Sequence, residues 1–302
     1  MQFRSITIED KSLFQYYLAD RYYETITYNF TSFYLWQYWD NYRFTENLGS
    51  LWVQCDLFGS VAFLPPIAPD EPTILAATEA MIDWFAKNDL PFFMVEGTEF
   101  HRQLYQNAWP NRFCYADFPL GDNYIYRVED LVNLKGNKYR NKRNHIYQFL
   151  REYTNFQFLP LDKSLIQACR RLTDDWVNQH KPSHTIIAEY KGLQLLFDHY
   201  AELDCLGAGI IIDDKLEAFT IGEKLNRDTF MIQVEKANPA KQGIYQAINQ
   251  FFLRDFAKDY TYVNRAEDMD EPGIRQAKQS YHPCKMAKKI HFTLAEDISA
   301  FA

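Results

Sequence analysis

At 302 residues with 47% hydrophobic content, the chain has room for two ordinary domains with real cores, which argues against disorder. Its formal net charge of −8 argues against a protein that coats nucleic acid along its whole surface, while leaving room for a local basic patch. The five cysteines (Cys55, Cys114, Cys169, Cys205, Cys284) are odd in number, widely spread and form no CxxC pair, so neither a disulfide framework nor a zinc site is expected and a reducing compartment is the default.

In chain order, the first half predicts a strand at Phe3–Ile8, a helix over about Glu9–Arg21 and a second over about Thr31–Asp40, capped by Thr31 or Ser32. The N-terminal stretch has no apolar core of signal-peptide length, and no run of about 18 apolar residues appears anywhere, so a soluble, cytoplasmic chain is expected. Strands fit Ser50–Cys55 and Ser60–Phe63. They are followed by a helix over about Thr73–Lys87, a strand at Phe92–Val95, a short helix near Phe100–Asn107, and strands near Phe113–Phe118 and Tyr124–Val128.

The second half repeats that order. It starts with a strand at Phe156–Leu161, helices near Lys163–Gln179 and Ile186–Ala201, and strands at Ala208–Ile212, Glu217–Glu223 and Thr229–Glu235. A helix at about Ile244–Lys258, a strand at Tyr260–Asn264, a short helix near Gly273–Tyr281 and a final strand around Lys289–Leu294 complete it. Alternating strands and helices require mixed sheets with helices on their faces. The expected architecture is therefore an α/β chain of two tandem domains, residues 1–130 and 156–302, joined by a basic linker helix over 131–155.

That linker holds Lys135, Lys138, Arg140, Lys142, Arg143, His145 and Arg151 with no acidic residue between them. On a helix, Tyr139, Arg143, Ile146 and Leu150 fall near one face, and Lys138, Lys142 and His145 on another. A basic stripe beside tyrosines suits contact with tRNA, an anionic lipid surface or a smaller anion. A solvated helix whose charges only confer solubility has the same composition.

Further on, Lys241-Gln242-Gly243-Ile244-Tyr245 joins a strand to a helix, which aims backbone N–H groups and the positive helix end at any anion beyond it. A Gly kept there for tight packing fits equally well. The segment Asn264–Lys278 then brings together Asn264, Arg265, Glu267, Asp268, Arg275 and Lys278. Glu267 and Asp268 are suited to binding an ammonium group or acting as general base. Arg275 and Lys278, three apart on a helix, are suited to holding phosphate or carboxylate, or to pairing with Asp270 and Glu271 at the surface. His180, His184 and His282 show no metal-ligand spacing, and no metal is expected.

The element order resembles the acetyltransferase fold of the GNAT superfamily, duplicated. The string YVNRAEDMDEPGIRQAKQSYHP and the upstream LKGNKYRNKRNHIYQF are similar to the C-terminal catalytic domain of phosphatidylglycerol lysyltransferases and their relatives. The matching positions are Asn264, Arg265, Glu267 and Asp268, then Gly273, Ile274, Arg275, Ala277 and Lys278, then Ser280, Tyr281 and Pro283. The resemblance implies no covalently bound cofactor and a donor that is either acyl-CoA, its pyrophosphate cradled at Lys241–Tyr245, or aminoacyl-tRNA. This turn has one Gly where the full acyl-CoA motif has two. The resemblance also implies that Asp268 recognises the aminoacyl amine and that Tyr281 protonates the leaving group, although Tyr281 also suits packing under the last strands.

The corresponding first-half turn, PPIAPDEPT, is acidic and has no Gly, so a degenerate first domain and a single site in the second are expected. The implied activity is acyl or aminoacyl transfer to an amine or hydroxyl. The alternative is a non-catalytic, anion- or nucleic-acid-binding regulatory protein on the same fold.

Overall fold

A computed structural model describes residues 1–19, 22–57 and 59–297. They fall into two compact units, residues 1–122 with 287–302, and residues 123–286. In the first, the chain runs through β1 (Arg4–Ser5), α1 (Lys11–Leu18), α2 (Phe30–Asp40), β2 (Arg43–Asn47), β3 (Ser50–Leu57), β4 (Ser60–Phe63), α3 (Glu71–Lys87), β5 (Phe93–Gly97), α4 (Glu99–Ala108) and β6 (Phe113–Asp117). The second contains β7 (Asn123–Arg127), α5 (Val128–Asn133), α6 (Arg140–Glu152), β8 (Gln157–Pro160), α7 (Lys163–Asn178), α8 (His184–Asp198), β9 (Leu206–Ile212), β10 (Lys215–Lys224), β11 (Thr229–Ala237), α9 (Ile244–Phe256), β12 (Tyr262–Asn264), α10 (Pro272–Gln279) and β13 (Lys285–Ala287). The chain then returns to the first unit as β14 (Ile290–Leu294).

Side-chain oxygens at the helix starts satisfy backbone donors that the first turn leaves open. Asp70 accepts from Thr73 N at 2.8 Å, Asp162 from Ser164 N and Leu165 N, and Ser183 from Ile186 N. The cap of α2 is Asn29, which accepts from Ser32 N, rather than Thr31 or Ser32, both of which are buried. The first helix is shorter than expected, and residues 20–21 of its expected span lie outside the described residues.

Each unit holds a seven-stranded sheet, and the two sheets share one plan: β1-β2-β3-β4-β5-β14-β6 and β8-β9-β10-β11-β12-β7-β13. In both, four antiparallel strands are followed by a parallel fifth, β5 on β4 and β12 on β11, and then by an antiparallel sixth. That sixth strand comes from the opposite half of the sequence. Strands form at Tyr124–Val128 and Lys289–Leu294 much as expected, but each joins the other half's sheet, so the expected boundaries at 130 and 156 do not divide the chain. Apolar alternation marks a segment as strand without saying which edge it pairs with.

β14 buries Ile290, Phe292 and Leu294 in the first core beside Trp52, Phe63, Met81 and Phe85. A Cβ at Gly97 would stand 1.9 Å from the Phe292 ring, so the donated strand requires glycine there.

The expected linker helix is an integral layer of the second unit. In α6, Ile146 and Phe149 are buried, and Phe149 packs with Ile244, Ala247 and Ile248 of α9. Leu150, expected on the apolar face, is exposed. Among the described residues, no helix is long and apolar enough to cross a membrane.

Candidate active site

β11 and β12 pair in parallel only over Thr229↔Tyr262, Phe230↔Val263 and Met231↔Asn264. β11 then continues to Ala237, while the other chain leaves the sheet: Arg265 N bonds to Tyr124 O, and Ala266 turns into the left-handed region at φ 58°. Asn264 holds this departure. Its buried amide accepts from Ala266 N at 2.8 Å and donates to Asn123, which in turn donates to Glu267 at 3.0 Å. The two strands therefore open a wedge beyond Met231. Arg265 spans it, donating from Nη2 to Glu235 at 3.1 Å, and Asn249 donates to the other Glu235 oxygen.

The second Arg265 nitrogen, Nη1, is buried with no hydrogen-bond partner among the described residues. The guanidinium lies 5.1 Å from the Tyr281 ring centroid and 5.9 Å from that of Tyr126. Tyr281 is buried, and its hydroxyl likewise has no partner among the described residues; burial pushes its pKa well up, against the opposing Arg265 charge. Lys142 of α6 stands 4.1 Å from the same ring and donates to Ser280 at 2.6 Å. Lys278 donates to the main-chain oxygen of Glu267, and burial lowers its pKa from 10.5 to about 8 despite the nearby Glu267 carboxylate. Arg265, Lys142 and Tyr281 thus meet from three chain segments, with Lys278 of α10 close enough to feel the Arg265 charge.

Asp268 is saturated. Oδ1 accepts from Arg275 Nη2 and Asp270 N, both at 3.0 Å, and Oδ2 accepts from Tyr124 Oη at 2.7 Å and Arg275 Nε at 2.8 Å. Burial alone would raise its pKa, but these donors outweigh it and hold the carboxyl below its ordinary value. The carboxylate therefore has no free position for a substrate amine or proton. Its contacts anchor α10, which buries no side chain of its own. Arg275 also pairs with Asp270, as its spacing suggested.

At the strand-to-helix turn, Gly243 sits at φ 80° where a Cβ would lie 2.2 Å from the His145 carbonyl oxygen. Packing of α6 against the turn thus accounts for the glycine. Lys241 lies 4.0 Å from Glu217 and 5.2 Å from the Tyr153 ring, Gln242 adjoins it, Ile244 is buried in the core, and Tyr245 donates to Ala237 O.

Of the basic residues, Arg143 caps the Leu134 and Gly136 carbonyls, Lys138 lies 3.9 Å from Asp130, Arg140 is exposed, and only Lys142 reaches the wedge cluster. Glu235, Tyr124 and Tyr126 were not singled out by sequence reasoning. Polar Gln233 and Glu235, alternating with the apolar residues of FMIQVE, were the available signal. Among the described residues, no group of three or more His, Cys, Asp or Glu is placed to hold a metal.

Two sheets of this plan, each with a wedge after the parallel pair, define a tandem GNAT-like fold. The chain belongs to the family described as phosphatidylglycerol lysyltransferase, C-terminal, whose model matches residues 20–290. A conserved protein of unknown function from Bacteroides thetaiotaomicron is similar in structure, with a TM-score of 0.88 and 26% identity over 97% of this chain and 99% of that one. L-PGS from Bacillus licheniformis shares the fold at a TM-score of 0.66 and 14% identity over 94% and 92% of the two chains. An uncharacterized protein of Mycoplasmoides gallisepticum is 23% identical over 53% of this chain, and the match spans about half of that relative, 52%.

Proposed function

We propose that the second unit transfers an aminoacyl group from aminoacyl-tRNA to an amine or hydroxyl acceptor, with the ester carbonyl seated in the β11–β12 wedge. The observation that carries this reading is Arg265 Nη1, a buried donor with no hydrogen-bond partner among the described residues, on a guanidinium 5.1 Å from the Tyr281 ring centroid. A buried N–H without a partner costs about 1–3 kcal/mol, an arrangement that is offset once an oxyanion forms against it.

In the proposed step, the acceptor attacks the ester carbon and its proton passes to neutral Lys278. Arg265 stabilises the oxyanion, the bond from carbon to the ribose oxygen breaks, and that oxygen takes the Tyr281 proton. Solvent then moves the proton from Lys278 back to the phenolate. Asp268 and Tyr124 position α10, and with it Lys278, without touching substrate.

Two features favour this donor over acyl-CoA. The Lys241–Tyr245 turn is closed on one side by the His145 carbonyl, where a pyrophosphate needs open N–H groups. The wedge itself is crossed by the Glu235–Arg265 ion pair rather than lined for a neutral thioester arm. Lysyl transfer to phosphatidylglycerol is the reaction in the family's description, so that pair heads the test panel.

The test incubates the chain with radiolabelled aminoacyl-tRNAs and phosphatidylglycerol vesicles, soluble amines or peptides, and separately with acetyl-CoA. Label should leave tRNA faster than by hydrolysis and appear in acceptor, and Arg265→Lys should suppress it. Turnover of acetyl-CoA alone would overturn the donor assignment. No turnover of any donor would sink the transferase reading in favour of a binding protein.

A further inference from the structure

We propose that Lys142, set beside Arg265 at the Tyr281 ring, forms a subsite for a phosphodiester of the donor RNA, the linkage next to its aminoacylated 3′ end. This rests on the donor reading above. The two cations come from α6 and the turn after β12, separated segments that meet at one ring. Arg265 has a carboxylate against it, Glu235 at 3.1 Å. Among the described residues, Lys142 has no ion-pair partner and makes a single hydrogen bond, to the neutral Ser280 Oγ at 2.6 Å.

Half-buried ammonium groups with neutral partners are under-compensated, because burial removes water without supplying a counter-charge. Lys142 shows the consequence: burial, then the neighbouring Arg265 charge, lowers its pKa. An anion seated against it reverses that cost, and a phosphodiester is a permanent anion carrying two free oxygens.

The chain around Lys142 favours RNA over a lipid headgroup. Exposed Lys135, Lys138 and Arg140 precede it, and Tyr147, 64% exposed, follows on the same helix. Lys135 and Lys138 make only long surface pairs, at 3.8 and 3.9 Å, which a phosphate readily displaces. A run of cations and an exposed ring leading away from the subsite suits a polymer of phosphates and bases, whereas a lipid offers one phosphate and an apolar surface.

The experiment measures equilibrium binding of an uncharged, CCA-ended RNA hairpin across a salt series. The hairpin carries either a natural or a neutral methylphosphonate terminal linkage, and the proteins are the wild-type chain, Lys142→Met and Lys142→Arg. In the wild type, the neutral linkage should weaken binding about tenfold, as for one hydrogen-bonded charge. It should also flatten the plot of log K against log salt by about 0.7, the increment for one single-strand phosphate. Lys142→Met should already be weakened to that extent and lose nothing further, and Lys142→Arg should behave as wild type.

No effect of the neutral linkage on the wild type, additive losses in Lys142→Met, or no RNA binding each overturns the subsite. Lys142-dependent binding to phosphatidylglycerol vesicles without RNA binding overturns it too and assigns the cluster to a lipid. The modified RNA tests the wild-type chain directly, so a misfolded variant does not void the result. Turnover of charged tRNA, measured alongside, separates the two readings. Turnover with no linkage effect removes the subsite alone, and coupled losses without turnover remove the transferase alone.

Discussion

Replacing Lys278 with Met should change how stability depends on pH, over a window set by one side chain. In the folded chain the Lys278 pKa falls from 10.5 to about 8, chiefly through burial, with Glu267 opposing. Each tenfold step in proton affinity is worth about 1.4 kcal/mol, so the separation amounts to roughly 3 kcal/mol of differential stability. Between pH 8 and 10.5 the unfolded chain keeps the proton and the folded chain has lost it. The unfolded state then binds more protons, and stability rises with pH across that window.

Below pH 8 the buried charge is a full burden, and above 10.5 it is absent from both states. The stability of the wild type minus that of Lys278→Met should therefore climb by about 3 kcal/mol from pH 8 to 10.5. Subtraction removes the contribution of the tyrosines that burial also holds protonated, since both chains share them. Loss of the bond to Glu267 O is pH-independent and shifts only the baseline. Urea unfolding followed by tryptophan fluorescence at half-unit intervals reads the difference. A flat difference across the window would show that Lys278 titrates normally and is not a neutral base near pH 8, which removes its proposed proton-accepting role.

Gly243→Ala should lower stability by about 3 kcal/mol, because a left-handed backbone and a Cβ 2.2 Å from the His145 carbonyl act together; thermal melting checks it, and a change within 0.5 kcal/mol would refute the packing account. Glu189→Ala should cost about 3 kcal/mol by leaving the buried Lys236 ammonium, now 3.0 Å from that carboxylate and 3.6 Å from the Trp176 ring, without its counter-charge. Adding Lys236→Met should restore most of that loss in urea unfolding, and a failure to recover would mean the pair is not the source. Arg265→Lys should cut kcat about 100-fold with KM little changed, since an ammonium keeps the charge near Glu235 but loses the Nη1 donor; an unchanged kcat would remove Arg265 from the reaction.

Much of the fold was legible because strand and helix periodicities were strong where cores are deep. TFMIQVEKA is buried along nearly its whole length, the helix after Gly243 buries seven of its thirteen residues along one face, and both formed as expected. β2 was missed because only Phe44 of its five residues is buried, which gives no readable alternation. β13 has three residues and one buried position, again too little signal. The polar string Asn264–Lys278 did mark the site, but chemistry at that level does not reveal which groups are already satisfied. Asp268 looked available in sequence and is saturated by Arg275, Tyr124 and Asp270 N, whereas Arg265 looked like one charge among several and holds the open donor. The missing information was long-range: Tyr124 lies 144 residues before its partner.

The exchanged sixth strand explains why the wedge has a fixed shape. β12 has only three residues, too few to hold a sheet edge by itself. β7 pairs along all three and accepts the Arg265 N–H just beyond them, so the point at which the chain leaves the sheet is set by a strand from the other half of the sequence. The same donated strand brings Tyr124 to Asp268 and Tyr126 to the Lys278 carbonyl, the two hydroxyl contacts that fix α10. In the first unit the backbone plan is the same, since β4 and β5 share the single pair Phe63↔Met94 and then part. Its contents differ: Leu64, Ile67 and Val95 are fully buried there, and Phe292 of the donated strand closes on Gly97. Both units carry a buried ion pair just past the parallel strands, Glu96–Lys289 at 2.7 Å in the first and Glu235–Arg265 at 3.1 Å in the second, but in the second the arginine keeps its Nη1 donor without a partner among the described residues. That difference in side chains, rather than any difference in fold, is the reason for assigning the reaction to the second unit.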